Sequence, residues 1–451
     1  MPDNLIAGWG NLPISNAEVK TPDTETGLSS EVSSVAEFIS RGLGRAYGDP
    51  ALPSKEGGVV ISGLGLKRFL LFDESTGILV AESGVSLAEI IKVFLPRRWF
   101  LPTVPGTKFV TLGGAVAADI HGKNHHIDGT FGVHVAWLDL VTANGATLNC
   151  SPSQNTDIFR ATVGGMGLTG HIIRVAIRLR RVPSAYCKVR YIKSKNLAHT
   201  LSLLSEHDVN YRHTVAWMDC LASGEKLGRG VLMLGNEAET EDLSQSQLRK
   251  GPHRLPNRPE ISVPFNLPSW FLGNTFVKIF NFLFYGLAKN TVKIVDYEKF
   301  FFPLDTIKHW NRIYGRRGFV QFQAYFPDAT AEKGLKECLE AISRAGLASF
   351  LAVLKRSGKA NEFPLSFLDK GYTLALDIPG DPQKLPSLMN ELDSILAKYN
   401  GRIYFAKDAM VTPDLIPTMY PGLNEFKRIK ALVDPKGLIQ SRLSKRLNLH
   451  D

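Results

Sequence analysis

The chain has 451 residues, of which 44% are hydrophobic and 21% charged. This composition excludes a mainly disordered chain, and the length predicts two or three domains at roughly 150 residues each. Lys and Arg exceed Asp and Glu by 53 to 43, a net charge of +10, which suits a nucleic acid, an acidic membrane surface or a phosphate-bearing ligand, or simply a solvated basic surface.

The first 185 residues predict short strands separated by glycine turns. GGVVISGLG, GILVAESGV and HIIRVAIRLRRV are typical of strands, and VSLAEIIKVFLP is typical of an amphipathic helix. The first twenty residues contain no basic segment followed by an apolar one, and the chain contains no run of 18 uncharged apolar residues. We therefore expect neither a secretory signal nor a transmembrane helix.

From about Pro183, longer helical patterns such as AEKGLKECLEAISRAG alternate with strands such as GFVQFQAYF. This α+β pattern predicts a second domain. Within it, residues 270–289 are crowded with aromatic side chains and carry two charges, Lys278 and Lys289. The segment fits an interfacial membrane helix, and it fits equally well a buried helix or a lid over an active site.

Two glycine-rich blocks are the strongest local patterns. RGLGRAYGD, at residues 41–49, lets backbone amides approach a ligand and so suits a pyrophosphate. PGTKFVTLGGAVAADIHGKNHH, at residues 105–126, combines glycines with small alanines and suits the packing of backbone against a flat cofactor. Two such blocks about sixty residues apart argue against simple turns.

Two further patterns are rejected as sites. Gly165, Gly167 and Gly170 satisfy the dinucleotide fingerprint, but a predicted strand follows them where the fingerprint requires a helix. His121, His125 and His126 resemble a metal cluster but lack the glutamate of the zinc-protease helix, and Gly122 disfavours a helix there, so we expect no metal. The four cysteines are scattered without a CxxC pair, which favours a reducing compartment over a disulfide framework (Cys150, Cys187, Cys220 and Cys338).

The C-terminal third places Lys355, Asp377 and Lys407 in or beside apolar strands. A lysine at a strand end near a cofactor could bind a phosphate or help to deprotonate an alcohol. A solvated strand end explains a single lysine equally well, so the pattern alone does not select these residues.

The two glycine blocks together carry a family resemblance. RGLGRAYGD followed by PGTKFVTLGGAVAADIHGKNHHIDGTFG resembles the flavin subunits of decaprenylphosphoryl-β-D-ribose 2'-epimerases, in the vanillyl-alcohol-oxidase-like FAD superfamily. The resemblance continues through ATVGGMGLTG, GFVQFQ, SFLAVLK and RIYFAKD and covers nearly the whole chain. It implies a fold of class α+β: a PCMH-type FAD-binding domain at 1–185, an inserted α+β substrate-binding domain at 186–400, and a segment at 401–451 that returns to the FAD domain.

The resemblance also assigns cofactor residues. Arg45 occupies the place of the histidine through which many superfamily members bind FAD covalently, so non-covalent FAD is implied. The residues implied to hold the pyrophosphate are Gly42, Leu43, Gly44, Arg45, Ala46, Tyr47, Gly48, Asp49, Gly106, Thr111, Leu112, Gly113 and Gly114. Those implied to line the flavin are Ala118, Asp119, Ile120 and His121, with Tyr47, Ile173 and Tyr404 nearby.

The implied reaction is oxidation of the 2'-hydroxyl of a polyprenylphosphoryl pentose to a 2'-keto sugar. Lys407 matches the active-site lysine of the family, with Tyr47 and His121 beside it, and Gln321, Gln323 and Lys355 match residues that line the substrate pocket. A separate NADH- or NADPH-dependent short-chain reductase would complete the epimerisation.

Two positions depart from the family pattern. Mycobacterial members carry a cysteine, the target of covalent inhibitors, where this chain has Ala375, and an asparagine where it has Thr373. Neither residue is required for hydride transfer, but the pocket surface changes. We expect resistance to cysteine-directed inhibitors.

Two alternatives stay open. A soluble FAD-dependent alditol or aldonolactone oxidase shares the glycine loop but needs no lipid. A non-catalytic basic protein that binds nucleic acid or membrane would leave both glycine blocks unexplained, and we find no nucleic-acid-binding motif, so no nucleic-acid partner is expected. A lipid-phosphate substrate implies peripheral membrane contact. We expect a cytoplasmic location at the inner face of the plasma membrane, with a periplasmic one as the alternative.

Overall fold

The computed structural model describes residues 4–256, 258–259, 261–268, 274–347 and 351–450. The part up to residue 181 is rich in strands. Its strands are β1 (Leu5–Ala7), β2 (Ile14–Lys20), β3 (Phe38–Arg41), β4 (Gly58–Ser62), β5 (Phe69–Asp73), β6 (Ile78–Glu82), β7 (Trp99–Phe100), β8 (Val135–Val141), β9 (Thr147–Cys150), β10 (His171–Arg178) and β11 (Arg180–Arg181). Its helices are α1 (Glu25–Ser34), α2 (Leu87–Phe94), α3 (Leu112–Ala117), α4 (His125–Asp128) and α5 (Thr156–Thr162).

Two main sheets organise this part, with strand orders β1-β2-β4-β3 and β5-β6-β10-β8-β9. The predicted amphipathic helix is confirmed as α2, which starts at a capping box of Ser86 and Glu89 and buries its apolar face. The strand predicted after the three glycines is confirmed as β10, which pairs with β6 and β8 and is nearly all buried. The rejected dinucleotide fingerprint therefore does precede a strand.

The described residues of the middle of the chain add ten strands and six helices. The strands are β12 (Tyr186–Ser194), β13 (His213–Met218), β14 (Gly230–Glu237), β15 (Ile261–Ser262), β16 (Thr291–Asp296), β17 (Ile307–Lys308), β18 (Phe319–Pro327), β19 (Ala352–Ser357), β20 (Gly371–Pro379) and β21 (Arg402–Ile403). The helices are α6 (Leu197–His207), α7 (Gln245–Lys250), α8 (Asn274–Leu287), α9 (Tyr297–Phe301), α10 (Ala331–Ala345) and α11 (Leu385–Lys398).

An antiparallel eight-stranded sheet dominates this part, in the order β16-β12-β14-β13-β19-β20-β18-β21. Helices α6 and α10 pack on it, and α11 packs on α10. The last strand, β21, lies just beyond residue 400. Strands and helices of both parts thus confirm the predicted α+β class.

Helix α8 covers most of the aromatic-rich segment; residues 270–273 of that segment lie outside the described residues. Val277 and Asn281 face the protein and are buried, and Asn281 donates a hydrogen bond to Asp219. The opposite face is apolar and exposed: Ile279, Phe280, Phe282, Leu283, Phe284 and Leu287. Across the described parts of the chain, we find no helix with the length and hydropathy needed to cross a membrane.

The chain returns to the N-terminal part in its last fifty residues, through α12 (Ile416–Met419), α13 (Leu423–Val433) and α14 (Arg442–Arg446). The amide of Phe38, in β3, donates to the carbonyl of Leu438 at 2.9 Å. After α14 begins, Arg446 forms ion pairs with Asp49 and Asp408 at 2.9 and 2.7 Å. The tail is therefore attached to the first glycine block.

Candidate active site

The first glycine block is a loop with unused backbone donors. The guanidinium of Arg41 anchors it by donating to the carbonyls of Ala7 and Ala51 at 2.6 and 3.1 Å. Gly44 has a φ of +63°, which favours glycine. Within the described structure, the amides of residues 43–46 donate to no acceptor. Consecutive free amides of this kind bind anions.

The same loop touches two other segments through its glycines. A Cβ on Gly42 would lie 2.2 Å from the Thr111 hydroxyl, and a Cβ on Gly48 would lie 1.6 Å from the carbonyl oxygen of Asp408. Neither position accepts a side chain. The loop is thus held between the second glycine block and the segment that carries Lys407.

The second block uses its amides within the fold. Thr111 caps α3 by accepting from the Gly114 amide at 3.2 Å, and the amides of Leu112 and Gly113 donate to carbonyls in residues 83–85 at 2.7 and 2.8 Å. At Gly106 a Cβ would meet nothing within 4 Å, so packing does not require glycine there. The amides of residues 112–114 are therefore occupied, whereas those of residues 43–46 remain available to a ligand.

The turn after α3 carries several of the predicted flavin-lining residues. The Ala118 carbonyl accepts from the Tyr404 hydroxyl at 2.6 Å. Asp119 has a φ of +40° and accepts from the Gly132 amide and the Asn361 side chain at 2.9 and 2.8 Å. Burial raises the pKa of Asp119 to about 6. The remaining apolar members of this set, Ile120 and Ile173, are buried.

His121 is buried and neutral. Its Nε2 accepts from the Gln323 side-chain amide at 2.8 Å, which leaves the ring proton on Nδ1. Nδ1 is buried without a hydrogen-bond partner among the residues described. Burial, with the nearby charges of Lys355 and Lys407, holds the pKa of His121 well below its usual value. The ring therefore offers one N–H to a bound molecule.

Lys407 follows the turn that starts at Tyr404, and its ammonium lies 3.7 Å from the centre of the Tyr47 ring. Loss of water around the ammonium lowers the pKa of Lys407 to about 7, although the charge of Asp377 opposes the shift. Burial, with the charge of Asp377, raises the pKa of Tyr47 well above its usual value. At neutral pH a substantial fraction of Lys407 is therefore a free amine.

Strands β18 and β20 form the floor beside Lys407. Their register places Gln321 opposite Asp377 and Gln323 opposite Ala375. Gln321 donates to Asp377 at 2.6 Å, and Tyr314 donates to the other carboxylate oxygen at 3.5 Å. Burial raises the pKa of Asp377 to about 7. The sequence analysis singled out Asp377 but found no local pattern that marks it as a site residue. Its partner Gln321 lies 56 residues away along the chain.

Two further lysines add positive charge. Lys355, on β19, lies opposite Thr373, and desolvation lowers its pKa to about 8. Lys123 donates to the carbonyls of Phe300 and Phe301 at 2.8 and 3.2 Å, and desolvation lowers its pKa to about 7. Lys123 was not among the predicted site residues, although it lies inside the IHGKNHH block that carried the resemblance.

The three histidines do not converge on a common point. The His125 Nδ1 accepts from the Gly358 amide at 3.0 Å, and His126 donates to the Tyr211 carbonyl at 2.9 Å, while His121 pairs with Gln323. The segment after Gly122 contains the short helix α4, which the sequence did not predict. No cluster of three or more metal-binding side chains occurs among the residues that the structure describes.

Family comparisons place known domains over both halves of the site. Residues 21–151 match the family described as FAD binding domain, and residues 326–447 match D-arabinono-1,4-lactone oxidase. The first range contains both glycine blocks, and the second contains β19, β20 and Lys407.

Similar proteins cover the chain to different extents. The decaprenylphosphoryl-β-D-ribose oxidase of Mycolicibacterium smegmatis is 35% identical over 98% of this chain and 97% of its own length. An uncharacterised protein of Streptomyces coelicolor is 30% identical over 81% of this chain and 100% of its own. The L-gulono-1,4-lactone dehydrogenase of Mycobacterium tuberculosis is 26% identical over 44% of this chain and 46% of its own.

Proposed function

The chain belongs to the decaprenylphosphoryl-β-D-ribose oxidase family of FAD-dependent oxidoreductases, and on that premise we propose that it oxidises the 2'-hydroxyl of a polyprenylphosphoryl pentose to a 2'-keto sugar. This is the first half of a 2'-epimerisation, which a separate NADH- or NADPH-dependent short-chain reductase completes. The observation that carries the proposal is Lys407, a desolvated lysine that can act as a base at neutral pH.

The residues present fit FAD. The free amides of residues 43–46 suit its pyrophosphate, and the unpartnered Nδ1 of His121 offers a donor at the flavin edge. We propose non-covalent binding because Arg45 stands at the position of the linking histidine, and its guanidinium packs 3.9 Å from the Trp9 ring. The division into 1–185, 186–400 and 401–451 stays a prediction.

Lys407 takes the proton of the reacting hydroxyl in this proposal. Bound FAD supplies the acceptor for the hydride of the same alcohol. The free-amine fraction of Lys407 accepts the hydroxyl proton at Nζ, and the Tyr47 ring beneath Nζ fixes where the amine lies. Tyr47 is itself a poor base for this step, because it keeps its own proton at neutral pH.

The substrate-orienting roles fall to the polar side chains of the floor. Gln321 and Gln323 are buried and are held by hydrogen bonds, Gln321 to Asp377 and Tyr47 and Gln323 to His121, so their remaining amide atoms can bind sugar hydroxyls in a set orientation. Lys355 has no carboxylate within ion-pair distance among the described residues. We assign it to the sugar or phosphate oxygens of the substrate.

The alternative is a soluble FAD-dependent alditol or aldonolactone oxidase. It is supported by the match of residues 326–447 to D-arabinono-1,4-lactone oxidase and by the partial similarity to L-gulono-1,4-lactone dehydrogenase. Both similarities cover less of the chain than the one to the decaprenylphosphoryl-β-D-ribose oxidase. Free alditols and lactones separate the two candidates because they carry no lipid.

We assign the exposed face of α8 to a peripheral contact with a membrane. Phe282 and Leu287 are 67% and 77% exposed, Lys278 lies within the helix, and Lys289 follows two residues after its end. Aromatic, aliphatic and basic side chains on one surface suit a lipid headgroup region. We expect this contact at the inner face of the plasma membrane, and the periplasmic face is the alternative.

The membrane contact is tested with vesicles that contain anionic lipid. Replacing Phe282 and Leu287 by serine should weaken binding about tenfold or more, because each loses roughly 1.5–3 kcal/mol of apolar burial. Leu71→Ser is the matched control, since Leu71 is 61% exposed on β5 in the N-terminal part. Equal binding by all three proteins would contradict the assignment.

The function itself is tested by the visible spectrum of the purified protein. We expect a yellow protein that releases its colour into the supernatant on acid denaturation. Anaerobic addition of a polyprenylphosphoryl pentose should bleach the flavin absorbance, and free pentose should not. Bleaching by free alditols or lactones instead would establish the alternative, and a colourless protein that cannot bind FAD would refute both.

A further inference from the structure

Asp377 is a buried acid to which the mechanism above gives no task. It is completely buried in β20. One carboxylate oxygen accepts from Gln321 at 2.6 Å and the other from Tyr314 at 3.5 Å. Buried carboxylates are costly, so one that lies in the floor of the active site calls for a functional explanation.

An aromatic cluster connects Asp377 to Lys407. The Tyr314 ring, whose hydroxyl reaches Asp377, stacks on Phe319 at 4.1 Å between centres. Phe319 meets the Tyr47 ring edge-on at 5.5 Å, and Lys407 lies over that same ring. The acid and the lysine therefore border one cluster, and the charge of each shifts the pKa of the other toward ionisation.

We infer that Asp377 is a positioning residue for Lys407: its carboxylate shares one proton with the lysine and so sets the fraction of Lys407 that can accept the substrate proton. The inference rests on the proposed function. When the substrate O–H bond breaks, an N–H bond forms on Lys407 and creates an ammonium. The Asp377 carboxylate balances that new charge in a site with little water.

Other charged and titratable groups face the same pair and shape its titration. Lys355 on β19 opposes protonation of Lys407, and both lysines help to keep His121 neutral. Tyr314 donates to Asp377, and the charge of Asp377 also acts on Tyr47, whose ring contacts Lys407. The charges of Arg45 and Asp305 also act on Tyr47. Of the carboxylates in this set, Asp377 is the one that favours protonation of Lys407.

The first test is the pH dependence of turnover with a polyprenylphosphoryl pentose. In Asp377→Asn, Lys407 loses the charge that favours its protonation, so the rise of kcat with pH should move to lower pH, by about tenfold in proton concentration. Tyr314→Phe, which removes one hydroxyl, should give a smaller shift in the same direction. Asp377→Glu should restore the parent profile.

Asp393→Asn is the matched control. Asp393 is also a buried carboxylate that accepts hydrogen bonds, from Thr412, but it lies on α11 and has no influence on Lys407. Its replacement should leave the position of the kinetic rise unchanged. A lower kcat in Asp377→Asn at every pH, with the rise at the parent position, would overturn the inference.

The second test needs no substrate. Burial raises the pKa of the folded-state Asp377 above that of the unfolded chain, so the stability that this group contributes is lost as pH rises through about 7. The Asp377→Asn variant does not lose stability in this way. The difference between its Tm and that of the parent FAD-bound protein should therefore increase from pH 5 to pH 8, in favour of the variant. A purely structural role predicts a Tm offset that is the same at every pH, and that result would overturn the inference.

The two tests separate failure of the inference from failure of the proposed function. If the parent protein does not oxidise the lipid-linked pentose, the proposed function fails, and the Tm comparison, repeated in a Lys407→Met background, still decides whether Asp377 and Lys407 share a proton, because sharing predicts that the pH dependence of the offset moves when the lysine is removed. If the parent protein turns over the substrate but either profile fails to respond to Asp377→Asn, the inference alone fails.

Discussion

Two regions of the molecule differ in whether a buried lysine has a carboxylate partner close by. In the C-terminal tail, the Lys430 ammonium pairs with Asp434 at 2.7 Å, and Asp434 also accepts from the amides of Leu438 and Ile439. In the active site, Lys407 has no carboxylate within 4 Å among the described residues, and an aromatic face is its nearest support.

The difference separates charge that holds the fold from charge that does chemistry. A buried ion pair with all its hydrogen bonds made is stable in one protonation state, so it can fix the tail on the N-terminal part. A desolvated lysine without a close partner lies near its midpoint at neutral pH, so it can gain and lose a proton during turnover.

Removing the site lysine should have the largest effect. Lys407→Met keeps the length of the side chain but removes the base, and we expect kcat to fall by about 100- to 10,000-fold. FAD content and Tm should stay near those of the parent, as absorbance and thermal melting would show. Substantial remaining turnover would place the base elsewhere.

Breaking the tail pair should instead affect stability. Asp434→Asn leaves the Lys430 ammonium buried without its counter-charge, which should lower the free energy of unfolding by about 3–5 kcal/mol. Urea denaturation measures the change, and kcat of the folded protein should be unchanged. Arg428→Ala is the control, because its pair with Asp157 is exposed and should contribute nothing measurable. Equal urea midpoints for both variants would contradict the comparison.

The pH dependence of turnover by the parent enzyme should follow the titration of Lys407 and not that of the tail pair. Because the free amine of Lys407 is the active form and its pKa is lowered to about 7, kcat/KM should rise with pH and approach a plateau above that value. Measurements from pH 5.5 to 9 would define the rise. A rise centred above pH 9 would show that the lysine behaves as an ordinary exposed one.

The smallest expected effect comes from a substitution at Ala375, an uncharged residue on strand β20. Ala375 lies opposite Gln323, and Ala375→Cys adds one sulfur without changing the charge of the site. We expect little change in kcat, together with a covalent adduct in the variant when a cysteine-directed inhibitor of this enzyme family is added. Mass spectrometry should find no such adduct on the parent protein; finding one would refute the expected resistance.

The sequence predicted local features well where one segment contains all the information. The glycines of residues 42–48, the capping box of α2 and the strand β10 depend on neighbours in sequence. The contact between Asp377 and Gln321 depends on the register of two strands far apart in the chain, and no local pattern encodes that register.

Local sequence patterns also did not predict which backbone amides already have an acceptor within the fold. Residues 112–114 are richer in glycine than residues 42–48, but their amides donate to the loop at residues 83–85 and to Thr111. For residues 274–287 the sequence supported a helix but left its orientation open. The hydrogen bond from Asn281 to Asp219 holds one face of the helix against the protein, and the apolar face therefore points away from it.

The short segment that ends in Lys407 also limits how the protein can move. The Tyr47 amide donates to Ala406, the Tyr404 hydroxyl donates to Ala118, and the Tyr404 amide donates to Gln323, so three distant stretches of chain meet there. A hinge that swung one half away from the other would break at least one of these bonds. We therefore expect a bulky lipid-linked sugar to enter through local opening at the rim, while the junction stays rigid and turnover proceeds without a large domain motion.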